Sequence, residues 1–412
     1  MTGDSPSRAA PQLLQLERLR AALLWLMGFA GAFVFIEPSP YEVVGVLAIV
    51  LFAVTGLALR AALMPLVMLL VFLNIGYAMA LIGVIDKPKL VTWVLVSMFL
   101  AGTAIFYAAV LGANTQARLN WLLRGTLAAG VVASLVAVGA YFRLFGGLSD
   151  MFILFGRARG TFNDPNVLGA FLVLPGLIAF QRLLSGRLSS VVGSGILLLV
   201  MLAALFLSFS RAAWGQFVFA ALLLMAMSFL TSRSQSERFR ITLIAIVGAV
   251  AVMALLALLV SIGEVADLLK QRASLEQSYD IGPLGRFGRY ILGFQLALER
   301  PFGIGPLQFS QVLGSEDPHN SLLNALMSGG WLAGLAFLTL TLVTITYGFR
   351  YAFARTPWQG GYHVIYASYL GIVGESVIID IDHWRHYFLV LGVLWGLIAA
   401  SRAYLAQPDA PA

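Results

Sequence analysis

The sequence predicts an all-α membrane protein with about twelve transmembrane helices, and three observations carry that prediction. Of 412 residues, 60% are hydrophobic and only 11% charged, whereas a soluble domain carries about 25% charged residues. Mean hydropathy is +0.90. Apolar runs of roughly 20 residues, the length that crosses a bilayer, recur along the whole chain. An ordinary soluble enzyme is thereby excluded, and no nucleic-acid partner is expected. The chain has no cysteine, so disulfides and thiolate metal sites do not arise. That composition suits a bacterial protein facing an oxidising periplasm.

Twelve candidate spans fall near residues 21–36, 41–58, 62–84, 90–111, 121–142, 166–181, 191–209, 212–230, 241–262, 320–347, 362–379 and 386–402. The first is preceded by a polar stretch with Arg8, Arg18 and Arg20. A cleaved signal peptide would have a shorter apolar core and a clear small-x-small site, so a retained first helix is expected. Pro65 and Pro175 lie inside spans, which neighbouring helices make tolerable. There is no inverted repeat of the kind many transporters show.

An even number of spans puts both termini on one side. The inner turns then hold fourteen basic and four acidic residues, the outer ones twelve and fifteen, and the positive-inside rule makes the first side cytoplasmic. The expectation is a multi-pass protein of the bacterial inner membrane with both termini in the cytoplasm. The acids Glu37, Glu42, Asp86, Asp150, Asp164 and Glu264 fall opposite. Outer cations concentrate at Arg157 and Arg159, at Arg211, between Lys270 and Arg300, and at Arg385. Nine helices over 1–262 therefore precede a long periplasmic loop at 263–318 bearing a substrate-binding helix. Three helices and a cytoplasmic tail follow over 319–412. Arginine clusters on one large outer loop suit an anionic substrate.

The motifs refine this. In Arg157-Ala-Arg-Gly-Thr-Phe-Asn-Asp-Pro-Asn166, Asp164 reads as a helix N-cap and Pro165 as the first helical residue. A helix start beside Arg157 and Arg159 suits a phosphate; it equally describes a capped helix whose arginines reach lipid headgroups. Glu316-Asp-Pro-His-Asn320 repeats the pattern. Asp317 is expected to cap, with His319 and Asn320 in the first turn, where the helix dipole favours a neutral imidazole. Such a ring can act as general base, or merely hydrogen-bond at the membrane surface. Arg286, Arg289 and Tyr290 fall at helical spacing before Phe294 and Leu298, and the apolar side of that helix would rest on the membrane or on the bundle. Arg211 sits in a short hairpin, Ser208-Phe-Ser-Arg211. Asp380-Ile-Asp-His-Trp-Arg-His386 places Asp382, His383 and His386 where a divalent metal or an aspartate–histidine–arginine network is conceivable. No metal is assigned. Glu375 lies inside the eleventh span, where a carboxylate is costly and faces a cavity or a partner.

Together these residues resemble the O-antigen ligase family, which is itself similar to O-antigen polymerases. The matching pieces are Gly160-Thr-Phe-Asn-Asp-Pro-Asn166, Ser210-Arg211, Arg286 with Tyr290, Pro301-Phe-Gly-Ile-Gly-Pro306, His319-Asn320 and Gly329-Gly-Trp331. The resemblance implies a GT-C-like membrane glycosyltransferase with a periplasmic active site and no cofactor. It implies a glycan donor on undecaprenyl diphosphate and a lipid A-core sugar, or another glycan, as acceptor, with inversion and without a metal. Carried over by position, Arg211 and Arg286 would hold the diphosphate, with Arg159, Asn166, Arg289 and Asn320 as further substrate contacts. His319 would act on the acceptor hydroxyl. Glu375, Asp382, His383 and His386 are possible additions. A polysaccharide polymerase is the nearest alternative, and a polysaccharide-related transporter a distant one.

Overall fold

The computed structural model describes residues 9–407 except 37, 85–86, 186–187, 264, 268, 270–284 and 315–316. Arg8, Glu37, Asp86, Arg187, Glu264, Lys270 and Glu316 lie outside the described residues. The chain is built of helices: α1 (Ala9–Ala30), α2 (Pro40–Val54), α3 (Met64–Ala80), α4 (Pro88–Val110), α5 (Thr115–Tyr141), α6 (Pro165–Ser185) and α7 (Leu188–Leu207). After these come α8 (Arg211–Thr231), α9 (Gln235–Val260), α10 (Arg286–Glu299), the short α11 (Phe309–Leu313), α12 (Ser321–Ala352), α13 (Gln359–Glu375) and α14 (Arg385–Leu405). The strands described are a two-residue pair, Ile153–Leu154 against Arg157–Ala158. The chain is an all-α polytopic membrane protein. Twelve of these helices fall on the twelve expected spans, and eight are long and apolar enough to cross a membrane.

The first helix departs from the expected span. It starts well before residue 21 and ends at Ala30. Its charged beginning stays helical because the charges are satisfied locally. Arg20 pairs with Glu17 at 2.6 Å and donates to the Thr55 carbonyl at the end of α2, at 2.5 Å. An i,i+3 ion pair of this kind supports a helix, and the bond to Thr55 clamps α1 to α2.

The tenth span is broken. Gly330, inside α12, has φ +68° and ψ −168°. A regular helix would pair the Trp331 amide with the Met327 carbonyl. Instead, the Trp331 amide donates to the Pro301 carbonyl at 2.9 Å, and the Met327 carbonyl accepts from the Ile304 amide at 2.7 Å. The Pro301–Pro306 loop is thus spliced into the helix ladder, so the Trp331 amide and the Met327 carbonyl keep partners across the kink. Only glycine fits here. A Cβ on Gly330 would lie 2.4 Å from the Pro301 oxygen, and one on Gly303 (φ +79°) 2.6 Å from the Gly330 nitrogen. Two glycine-rich motifs that look independent in the sequence are the two halves of one joint.

Cross-links tie one end of the bundle together. Arg385, at the start of α14, pairs with Glu42 in the first turn of α2 at 2.6 Å. His383 hydrogen-bonds the Trp93 carbonyl of α4 at 3.1 Å, and Lys87 donates to Gln308 at 2.9 Å. The start of α12 joins them through Asn324 and Asp382, that of α6 through Phe171 against His386, and that of α8 through Arg157, which bonds Asn166 and Ser208, so alternate spans start at one end.

Candidate active site

His319 stands at this end, immediately before α12, in a conformation the sequence does not announce. The expected arrangement, with Asp317 as cap and His319 in the first helical turn, is corrected by the structure. The helix begins at Ser321 and its cap is Asn320, whose side-chain oxygen accepts from the Leu323 amide at 3.0 Å. His319 takes the left-handed conformation, φ +50°. The reason is tertiary. The turn after α13 competes for the backbone and side chains here: the Ser321 amide donates to Ser376 at 2.9 Å, and Asn320 Nδ2 donates to Val377 at 3.0 Å. Ser321 Oγ donates to the Ile379 carbonyl and accepts from the Ile381 amide, both at 3.0 Å.

That zipper brings Asp380 to the imidazole. His319 Nδ1 lies 3.2 Å from Asp380 Oδ2, with the histidine side chain 40% exposed and the aspartate 21%. A proton on Nδ1 is held by the carboxylate, which leaves Nε2 as the basic atom. Burial pushes the Asp380 carboxyl above the usual carboxylate range; the hydrogen bond from His319 opposes this and the charge of Asp382 adds to it. Asp317 is raised for the same first reason, burial, and then by Asp380. Asp382 instead accepts from Asn324 Nδ2 at 2.7 Å, and Asn324 in turn accepts from Ser328 at 3.2 Å.

Helix α10 braces the turn from outside. Tyr290 donates to the carbonyls of Val377 (2.8 Å) and His319 (3.3 Å). Arg289 is 4% exposed and donates to the Asp317 carbonyl at 3.1 Å, so it holds the backbone beside His319. Arg286 is the first residue of α10 and is half-buried.

A second patch forms where α6 and α8 start. Asp164 caps as expected: its Oδ1 accepts from the Asn166 amide at 2.6 Å and α6 opens at Pro165. Arg157 is buried and bridges Asn166 Oδ1 (2.6 Å) to the Ser208 carbonyl (2.8 Å). Arg159 donates to the Met151 carbonyl at 2.9 Å. Ser210 caps α8 by accepting from the Ala213 amide, which puts Arg211 at the first helical position.

The remaining candidates separate by environment. His386 is 5% exposed, stacked on Trp384 at 4.9 Å and edge-on to Phe171 at 6.0 Å. His383 packs on Trp93 with ring centroids 4.0 Å apart. Asp380 to His386 thus forms a network whose members face different neighbours. Among the described residues, no group of three or more histidine, aspartate or glutamate side chains is placed to hold a metal. Glu375 is 3% exposed, and neither carboxylate oxygen has a hydrogen-bond partner among the described residues. Asp380 and Asn324 are the participants that sequence reasoning left without a role. Asn324 did carry a signal, lying one turn after Asn320 on the same helix.

The fold and this end of the bundle define a polytopic α-helical membrane protein with a histidine–aspartate pair and arginine-bearing helix starts. Residues 196–338, about a third of the chain, match the family model described as O-antigen ligase, which supports assignment to that family. The match covers Arg211, Arg286 and His319, and it ends before Asp380. It implies a glycosyltransferase-like enzyme of the ligase or polymerase kind acting on glycan and lipid substrates. No curated protein matches the chain significantly.

Proposed function

We propose that the protein is an O-antigen ligase of the bacterial inner membrane, moving a glycan from undecaprenyl diphosphate to a lipid A-core sugar at the periplasmic face. The observation that carries this reading is the His319–Asp380 pair at 3.2 Å, in a turn whose Asp317 carbonyl is held by the Arg289 guanidinium at 3.1 Å. The acceptor hydroxyl gives its proton to His319 Nε2 as its oxygen bonds to the anomeric carbon of the donor. The bond from that carbon to the diphosphate oxygen breaks, and the diphosphate leaves with the electron pair. Its charge needs stabilisation rather than protonation, which guanidinium groups and helix N-termini supply. Arg211 and Arg286 take that role. Arg289, through Asp317, and Asn320, through its cap, keep His319 in position. Asn166 and Arg159 shape the neighbouring patch.

Deletion of the protein tests the reading. The expected result is unextended lipid A core, with long glycans accumulating on undecaprenyl diphosphate. Cores carrying a single repeat unit would overturn it in favour of a polymerase. A reporter fused at Ser234, between α8 and α9, should report the cytoplasm, and one at Gly314 the periplasm.

A further inference from the structure

Helix α10 shows three faces. Arg289, Gly293 and Ala297 are buried against the bundle, where a methyl on Gly293 would sit 3.2 Å from the Met327 sulfur. Gln295 and Glu299 are exposed and polar. Between these sectors runs a stripe of large apolar side chains turned away from the protein. Phe287 is 60% exposed, Ile291 64%, Phe294 48% and Leu298 56%. Their spacing of four, three and four residues puts them on one side of a helix. The sequence leaves open whether the apolar side meets the bundle or the membrane; in the structure the small residues take the bundle and the large ones do not.

The stripe also lies beside a helix long and apolar enough to cross a membrane. Along α10, Tyr290 bonds His319 and the Ala297 carbonyl accepts from Trp331 Nε1 at 3.0 Å. The partners advance along α12 as α10 advances, so α10 runs beside the opening of that helix. Where it ends, Leu332 (40% exposed) and Leu335 (51%) carry the apolar surface onward along α12. The opening of α10 carries the half-buried Arg286, whose charge complements anionic headgroups.

We propose that α10 is seated in the interfacial layer of the bilayer through Phe287, Ile291, Phe294 and Leu298, with its C-terminal end the deeper. A helix with an apolar stripe, a polar face and flanking cations lies in that layer. The seat fixes Arg286 at headgroup level, where the phosphates of any lipid-linked substrate travel.

The absence of cysteine makes the test clean, because a single introduced cysteine carries a spin label uniquely. Phe287→Cys, Phe294→Cys, Leu298→Cys and, as the water-facing control, Gln295→Cys are labelled in proteoliposomes of phosphatidylethanolamine and phosphatidylglycerol. Ile291→Cys replaces any stripe variant that fails to fold. The expected result is that stripe labels collide more with oxygen, which partitions into lipid, than with a water-soluble nickel complex. Leu298 should read deeper than Phe287, and Gln295 should show the reverse preference. Stripe labels as nickel-accessible as Gln295, or shielded from both reagents, would overturn the proposal. The measurement reads depth and not turnover, so its outcome is separate from that of the transferase reading.

Discussion

Two turns with nearly the same sequence take different paths in this protein. Asp164-Pro165-Asn166 and Asp317-Pro318-His319-Asn320 both read as a capping aspartate, a first-turn proline and a helix. At the first, that reading holds: Asp164 accepts the Asn166 amide and the Leu168 amide reaches the Asp164 carbonyl at 3.1 Å. At the second, the helix start slips to Ser321, Asn320 caps, and His319 is held at φ +50°. Local rules for helix starts are the same in both turns. The second is overruled by the turn after α13, which supplies partners for Asn320 and Ser321 and presents Asp380 to the imidazole. Left-handed backbone at a residue with a side chain costs of order 1–3 kcal/mol and persists where surroundings over-determine it. Here the surroundings fix the residue proposed as the base.

Changing the aspartate on which each turn depends, Asp380 for His319 and Asp164 for its own helix start, separates the two. Asp380→Asn removes the charge that favours a proton on Nδ1, and transfer should fall about 10²-fold or more, as when an orienting carboxylate is lost from a catalytic histidine. Asp164→Asn should change transfer by less than about twofold, since asparagine caps a helix as well as aspartate does. Equal effects in initial-rate assays at matched expression would erase the distinction between the turns. The pH profile adds a directional check. Because burial raises the Asp380 carboxyl, the carboxylate is lost as pH falls through a value above the ordinary pKa of about 3.9. Wild-type kcat/KM should therefore decline on the acid side before an exposed aspartate would titrate.

Guanidinium geometry gives the next largest effect. A diphosphate accepts paired hydrogen bonds from an arginine fork, which lysine cannot reproduce. Arg211→Lys and Arg286→Lys should each cost roughly tenfold or more in transfer despite the retained charge. Near-normal rates in both would reduce these side chains to lipid anchors.

Smaller effects test the slipped cap itself. Asn320→Ala should lower stability by about 1 kcal/mol and slow transfer by loosening His319, as read by thermal unfolding and by rate. His319→Gly should not destabilise, because glycine takes φ +50° without strain, yet it should be inactive. A destabilised His319→Gly variant would show that the ring carries structure and not only chemistry.

How far the sequence could be read follows from the range of the interactions involved. The spans were legible because apolar length is a local property, and so was the start of α6, where cap and proline act within three residues. The role of Asp380 was not legible, because it depends on bonds across 61 positions. Nor was the exchange of carbonyls between Pro301 and Met327, which only the assembled bundle creates. The charged opening of α1 was hidden for the same reason, since Arg20 reaches Thr55 on the next helix.

Removal of the acceptor hydroxyl's proton by His319 is read in single-turnover transfer from purified lipid-linked donor to acceptor. His319→Ala should leave donor affinity largely unchanged and lower the transfer rate by at least about a hundredfold, within the range a positioned base contributes. His319→Gln should do no better, since an amide orients a hydroxyl without taking its proton. An alanine variant that keeps its rate and loses only donor affinity would contradict that role. It would make His319 a phosphate ligand and leave the buried carboxylate of Glu375 as the base to examine next.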